Sequence, residues 1–156
     1  MTQAALDALS ALLGARLSTR DADCAQHAKN ETWYPEARPD AVVWPETTAE
    51  VSEILKICNA HGVPVTAYGA ATSLEGNHLA VHGGISLDME RMNAVLDIRA
   101  EDRLARAQPG VTRKALNAAL RDTGLFFSVD PGADASLGGM AATRASGTTA
   151  VRYGTM

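Results

Sequence analysis

The sequence predicts an α+β fold, with an N-terminal βαβ lobe followed by the start of a second α+β lobe. Three observations carry this. "PETTAEVSEILKICNAHG" has apolar residues at helical spacing and lies between two short apolar runs, Ala41 to Trp44 and Val63 to Tyr68. Val95 to Ile98 and Leu104 to Ala107 alternate around the polar turn "RAED". "VTRKALNAALRDTG" is a second amphipathic helix. At 156 residues the chain is long enough to bury a core of its own.

In chain order, "TQAALDALSALLGA" places Leu6, Leu9, Leu12 and Leu13 on a helix, with Thr2 as N-cap and Gly14 near its stop. From Ser18 to Asp40 the periodicity fails, which predicts an irregular segment with short turns. Ala41 to Trp44 reads as a short buried strand. In the helix that follows, Thr47 and Glu50 have capping-box spacing, and Val51, Ile54, Leu55 and Cys58 form one apolar stripe ending at Gly62. Strand, helix and the next strand make a right-handed βαβ crossover with parallel strands. Gly83 to Met89 is a further strand, followed by the hairpin. Thr112 caps the second helix, whose stripe is Ala115, Leu116, Ala119 and Leu120 and whose stop is Gly124. Leu125 to Val129 reads as a strand. From Asp130 onward the chain is rich in Gly, Ala, Ser and Thr, which predicts a bulk-poor glycine-rich tail.

Composition narrows the function. Apolar residues make up 46% of the chain, net charge is -4, and Lys and Arg are scattered rather than clustered, which argues against a nucleic-acid surface. Cys24 and Cys58 match no zinc spacing and read as buried free thiols. No apolar run is long enough for a membrane span, and the start lacks a secretory pattern. The expected address is cytoplasmic, with peripheral membrane association compatible.

The stretch most in need of a chemical reason is "PVTAYGAATSLEGN". A good strand ends at Tyr68 and is followed by Gly69-Ala70-Ala71-Thr72-Ser73, which offer a core almost nothing to bury. A loop at the carboxyl end of a strand in a βαβ unit is a ligand position. The chain contains no Gly-Lys for a P-loop and no dinucleotide glycine fingerprint. Small residues still let consecutive amides converge on a phosphate, with the hydroxyls of Thr72 and Ser73 as added donors. A flexible small-residue loop is equally compatible with this local composition. His78 and His82 lie four apart but among glycines, so they read as surface or satisfied loop histidines rather than metal ligands; His27 and His61 are lone. Neither Ser136 nor Ser146 completes a nucleophile elbow. A second small-residue stretch, Gly138-Gly139 to Ser146-Gly147, suits a long ligand that lies across two places on the chain.

Taken together, "PDAVVWPETTAEVSEILKICNAHGVPVTAYGAATSLEGN" and "QPGVTRKALNAALRDTGLFFSVDPGADASLGGMAATRASGTTAVRYGTM" resemble the FAD-linked D-lactate dehydrogenases and the glycolate oxidase subunit. Both groups belong to the vanillyl-alcohol oxidase and para-cresol methylhydroxylase (PCMH-type) flavoproteins. The resemblance runs from about Arg38 to the last residue. It implies an N-terminal segment over 1–37 and a partial PCMH-type FAD-binding domain over 38–156, its first lobe reaching about residue 108. It also implies that the chain is C-terminally truncated.

The resemblance further implies that Tyr68, Gly69, Ala70, Ala71, Thr72, Ser73, Gly76 and Asn77 form a pyrophosphate loop. Pro109 and Gly110 would turn near the cofactor. A second FAD-contacting stretch would comprise Pro131, Gly132, Ser136, Leu137, Gly138, Gly139, Thr143, Ser146 and Gly147, with Tyr153 and Gly154 following. Three positions depart from the family pattern. Ala71 replaces a frequent Gly and requires a negative φ; Asn77 replaces another and tolerates left-handed geometry; Thr149 replaces a usual Asn. Thr72 stands where some branches carry a His that tethers the flavin, so the implied FAD is non-covalent.

The implied activity is oxidation of a small 2-hydroxy acid, D-lactate first, with hydride passing to flavin and electrons leaving to a cytochrome or quinone. Glycolate and D-2-hydroxyglutarate are alternative substrates, and a non-catalytic FAD- or nucleotide-binding module is the alternative class. Neither a catalytic residue nor a metal ligand is assigned, and the isolated chain is expected to be inactive.

Overall fold

The computed structural model describes all 156 residues as two compact units, Met1–Arg91 and Met92–Met156. In the first, α1 (Gln3–Leu13) starts at Thr2, whose hydroxyl accepts from the Ala5 amide at 3.3 Å. The chain then enters β1 (Leu17–Ser18) and α2 (Asp21–Gln26). Both fall at or within the segment expected to be irregular. Helix α2 has six residues and buries only Cys24, so it has no apolar periodicity to read. It is held by local polar bonds instead: Asp23 accepts from Ser18 Oγ at 2.5 Å and from Arg20 Nε at 2.9 Å.

Strands β2 (Ala41–Val43), β3 (Val65–Tyr68) and β4 (Ile85–Asp88) are parallel, and the sheet order is β1-β2-β4-β3. The βαβ unit is thus present, with β4 inserted between its two strands. Every residue of β4 is buried, whereas β3 is half-exposed, as befits a central strand and an edge strand. Alternation gives the sheet two distinct faces. Ala41, Val43, Ile85 and Leu87 join Ala5, Leu9 and Leu13 of α1 and Ile54 and Cys58 of α3 (Thr48–Ala60) in one apolar core. Val42, Thr66, Tyr68, Ser86 and Asp88 point the other way.

Helix α3 is capped as its sequence implies, with the Glu50 amide donating to Thr47 Oγ1 at 3.1 Å. The Glu50 carboxylate accepts from the Glu46 amide at 2.7 Å and from Arg16 at 2.5 and 2.6 Å. The expected stripe needs one correction. Leu55 is 45% exposed, and Ile57 packs on the core in its place. Cys24 and Cys58 are both buried free thiols.

The second unit opens with the predicted hairpin, β5 (Val95–Arg99) antiparallel to β6 (Leu104–Ala107). Helix α4 (Arg113–Leu120) is capped by Thr112 and packs Leu116 and Leu120 with Val111. Ala115 and Ala119, expected in that stripe, are exposed because the helix needs only one narrow contact line. Leu125 to Val129 is not a strand. It has no ladder partner, and the Phe127 amide instead donates to Asn117 Oδ1 at 2.7 Å. The bulk-poor tail, for which the sequence assigns no element, holds two short helices, α5 (Leu137–Thr143) and α6 (Ala150–Tyr153). Ser136 caps α5 through the Gly139 amide at 3.4 Å.

The Arg16–Glu50 pair gives a pH prediction. Arg16 holds the Glu50 carboxyl down at about 2, against an ordinary 4.5. Its contribution to stability is therefore complete above pH 4.5 and is lost as pH falls toward 2. Urea unfolding midpoints taken at pH 7 and pH 3 are expected to fall less with acid in Glu50→Gln than in the parent chain.

Candidate cofactor site

Strand β3 ends at Tyr68, and the chain leaves the sheet through the small residues Gly69 to Ser73. The backbone amides of these five residues make no hydrogen bond within the chain. Two of their carbonyls are occupied, because Asn30 Nδ2 donates to those of Ala71 at 2.7 Å and Ser73 at 2.9 Å. Thr32 Oγ1 donates to the Leu74 carbonyl at 2.7 Å. Asn77 Nδ2 and the Glu75 amide each reach Ser73 Oγ at 3.3 Å, closing the turn. Ala70 and Thr72 are exposed. A set of unpaired donors flanked by small side chains and hydroxyls fits a phosphate group, which needs donors and close backbone approach. Asn30 and Thr32 escaped the sequence reading because they lie about 40 residues upstream, in a stretch without periodicity.

Two expectations about this loop are corrected. Ala71 has φ 53°, so its Cβ sits in the left-handed region instead of at a negative φ. Asn77 does not take that geometry; Gly76 does, with φ 67°, and the turn is made one residue earlier.

Behind the loop lies the polar face of the sheet. Asp88 Oδ2 accepts from His27 Nε2 at 2.8 Å and from Trp44 Nε1 at 3.1 Å, and Asp88 Oδ1 accepts from the Glu90 amide at 2.9 Å. The other His27 nitrogen, Nδ1, lies 2.8 Å from the Asp23 carbonyl. Both partners only accept, so the ring carries a proton on each nitrogen and is an imidazolium. Burial alone would lower the His27 pKa, but Asp88 and the Asp23 carbonyl outweigh it and the pKa is raised above 6.5. The expectation of a lone His27 is thus replaced by a buried ion pair.

Tyr68 stacks at a tilt on His27, with ring centroids 4.2 Å apart, and meets His78 edge-on at 5.5 Å. His78 is neither at the surface nor satisfied. It is 4% exposed and neither ring nitrogen has a partner. Burial, then the neighbouring His27 charge, push its pKa down, so the ring is neutral. His82 is exposed, as expected of a loop histidine.

In the second unit, several predicted residues come together. The Gly138 amide donates to the Pro109 carbonyl and the Leu137 amide to the Val111 carbonyl, both at 2.8 Å, and the Gly110 amide donates to Met92. A Cβ at Gly138 would lie 2.7 Å from Pro109 Cβ, so only glycine lets α5 approach this turn. A Cβ at Gly147 would lie 2.4 Å from the Asp130 carbonyl oxygen. Asp130 gathers the tail by accepting from Thr148 Oγ1 at 2.5 Å and from the Thr149 amide at 3.0 Å. Thr149 also donates its hydroxyl to the Ser128 carbonyl, a structural task for the residue that departs from the family pattern. Ser136 is buried as a helix cap, and Thr143 Oγ1 donates back to Gly139 at 2.9 Å. Gly132 and Ser146 are exposed, Pro131 is half-buried, and Tyr153 rests edge-on against Phe126 at 5.5 Å.

A parallel sheet with an anion-fitting loop at its carboxyl end fits the class of domains that bind a phosphate-bearing cofactor. The comparisons make this specific: the FAD binding domain family matches residues 39–156, and the chain belongs to it. It is 52% identical over 131 residues to the probable mitochondrial D-lactate dehydrogenase of Danio rerio, covering 84% of this chain and 26% of that protein. It is 52% identical over 118 residues to the mitochondrial D-lactate dehydrogenase [cytochrome] of Arabidopsis thaliana, covering 76% of this chain and 21% of that one. The chain thus spans about a quarter of the length of these relatives. Among solved structures, p-cresol methylhydroxylase with substrate bound matches with a TM-score of 0.64 and 26% identity, over 80% of this chain and 26% of that chain. The fold is PCMH-type and FAD is the cofactor of the family.

Two predictions follow from the geometry. His27→Ala would strand the Asp88 carboxylate, since the side chains of the pair are 3% and 4% exposed. The expected loss is about 3–5 kcal/mol in urea unfolding. In the parent chain the imidazolium's contribution is complete below pH 6.5 and is lost as pH rises through the raised His27 pKa, so thermal stability should decline on that alkaline limb. Ala71→Gly relieves a left-handed alanine and should stabilise the chain by about 1 kcal/mol, read as a higher melting temperature; a lower one would contradict the strain.

Proposed function

We propose that the chain is the cofactor-holding part of an FAD-dependent D-2-hydroxyacid dehydrogenase, with D-lactate as the first substrate. One observation carries the reading: in a chain of the FAD binding family, five consecutive amides after β3 are left without acceptors among small side chains. Gly69 to Ser73 would bind the pyrophosphate through those amides, with Thr72 and Ser73 adding hydroxyl donors. Each bond to the charged group contributes about 1.5–3 kcal/mol. Gly76 and Asn77 shape the exit of the loop. In the second unit, Pro109 and Gly110, with Pro131, Gly132 and Ser136 to Gly139, offer backbone at close approach. Thr143, Ser146, Gly147 and Tyr153 continue that stretch.

FAD, when bound, supplies the redox chemistry, accepting two electrons from the hydroxy acid. The chain's own residues hold and orient it. Asp88 and His27 fix the end of β3, and the half-buried Tyr68 ring stacks on His27 next to the loop. We take attachment to be non-covalent, because Thr72 has no nucleophilic nitrogen to tether a flavin. The names of both relatives support D-lactate as substrate, and the name of the Arabidopsis protein supports a cytochrome as electron acceptor, with a quinone as the second choice. No helix is long and apolar enough to cross a membrane. A cytoplasmic location, compatible with peripheral membrane association, is part of this reading, beside relatives named as mitochondrial.

Titration of the purified chain with FAD, followed by quenching of flavin fluorescence and by melting temperature, tests the proposal. Saturable binding with a rise in melting temperature is expected. Ala71→Asp places a carboxylate beside the phosphates and should abolish binding. Retained binding in this variant would mean that the loop is not the pyrophosphate site.

A further inference from the structure

A loop of small residues left to itself closes into local turns, spending its amides on its own carbonyls. Gly69 to Ser73 do not, and a segment far upstream accounts for it. Asn30 uses both protons of its side-chain amide, one on Ala71 and one on Ser73. Its orientation is set from behind, because Oδ1 accepts from the Thr32 amide at 2.9 Å, which forces the NH2 end toward the loop. Thr32 then takes the next carbonyl, that of Leu74. The left-handed Ala71 is itself one of the residues so gripped, which explains how its unfavourable φ persists.

We propose that Asn30 and Thr32 are positioning residues for the pyrophosphate. By holding the carbonyls of Ala71, Ser73 and Leu74, they keep the amides of Gly69 to Ser73 unspent. They also keep partial negative charge from turning toward an anion. This role rests on the reading of Gly69 to Ser73 as the phosphate loop. Neither residue needs to touch the cofactor.

The test measures FAD affinity and the melting temperature without FAD for the parent chain, Asn30→Ala, Thr32→Val and Thr32→Ser. Asn30→Ala removes two bonds to the loop without adding charge, and Thr32→Val removes one while keeping shape. The expected result is a loss of FAD affinity of at least about tenfold in Asn30→Ala and about threefold to tenfold in Thr32→Val, with Thr32→Ser restored to within about twofold of the parent. Variants that melt lower without FAD yet bind it with parental affinity when folded would overturn the proposal and leave a merely structural brace. If Asn30→Ala does not fold, the Thr32→Val and Thr32→Ser pair decides, and equal affinity in both overturns the proposal. A parent chain that fails to bind FAD would overturn the loop reading and this inference with it. Parental binding with unaffected variants would overturn this inference alone.

Discussion

Much of the first unit bears on one feature: the backbone after Tyr68 stays open, with the amides of Gly69 to Ser73 unpaired and the carbonyls of Ala71, Ser73 and Leu74 tied. An open backbone is costly to order, since it forgoes the hydrogen bonds that would repay its lost entropy. The cost is met from outside the loop. Asn30 and Thr32 supply the missing donors for the carbonyls, and Tyr68 anchors the start of the loop in a buried aromatic and ionic cluster. On the proposed reading, small side chains at 69 to 73 serve access to the amides.

The sheet divides its work by face. The α1 and α3 side is an ordinary aliphatic core and provides the cohesion. The opposite side carries Asp88, Tyr68 and Ser86, met by His27, Trp44 and His78. Burying an imidazolium and a carboxylate carries a desolvation cost that offsets much of their attraction. They do fix geometry, because Asp88 lies directly across from Tyr68 in the parallel register, where β3 becomes the loop. The unpartnered nitrogens of His78 belong to this same layer, on the far side of the Tyr68 ring.

The elements with strong periodicity were legible from sequence. Helices α1, α3 and α4 with their threonine caps, the parallel strands and the β5–β6 hairpin all follow from spacing and capping chemistry. What escaped was whatever depends on partners distant in the chain. Helix α2 buries one residue and is held by polar bonds, so no pattern announces it. Leu125 to Val129 has strand-like composition, but a strand exists only if another strand pairs with it. Leu55 and Ile57 exchange places because an apolar stripe says which side of a helix faces the core but not how wide the contact is. At the loop, residue types were enough to suspect an anion, whereas its brace at Asn30 and Thr32 and the left-handed Ala71 are visible only in three dimensions. His27 and His78 show the same limit, since a histidine's role is set by what faces its nitrogens.

The central claim is that five specific amides bind the cofactor. Amide chemical shifts and hydrogen exchange at Gly69, Ala70, Ala71, Thr72 and Ser73, recorded with and without FAD, address it most directly. The account predicts large shift changes and new protection at these positions when FAD is added. Unchanged amides at 69 to 73 in the presence of saturating, bound FAD would contradict it.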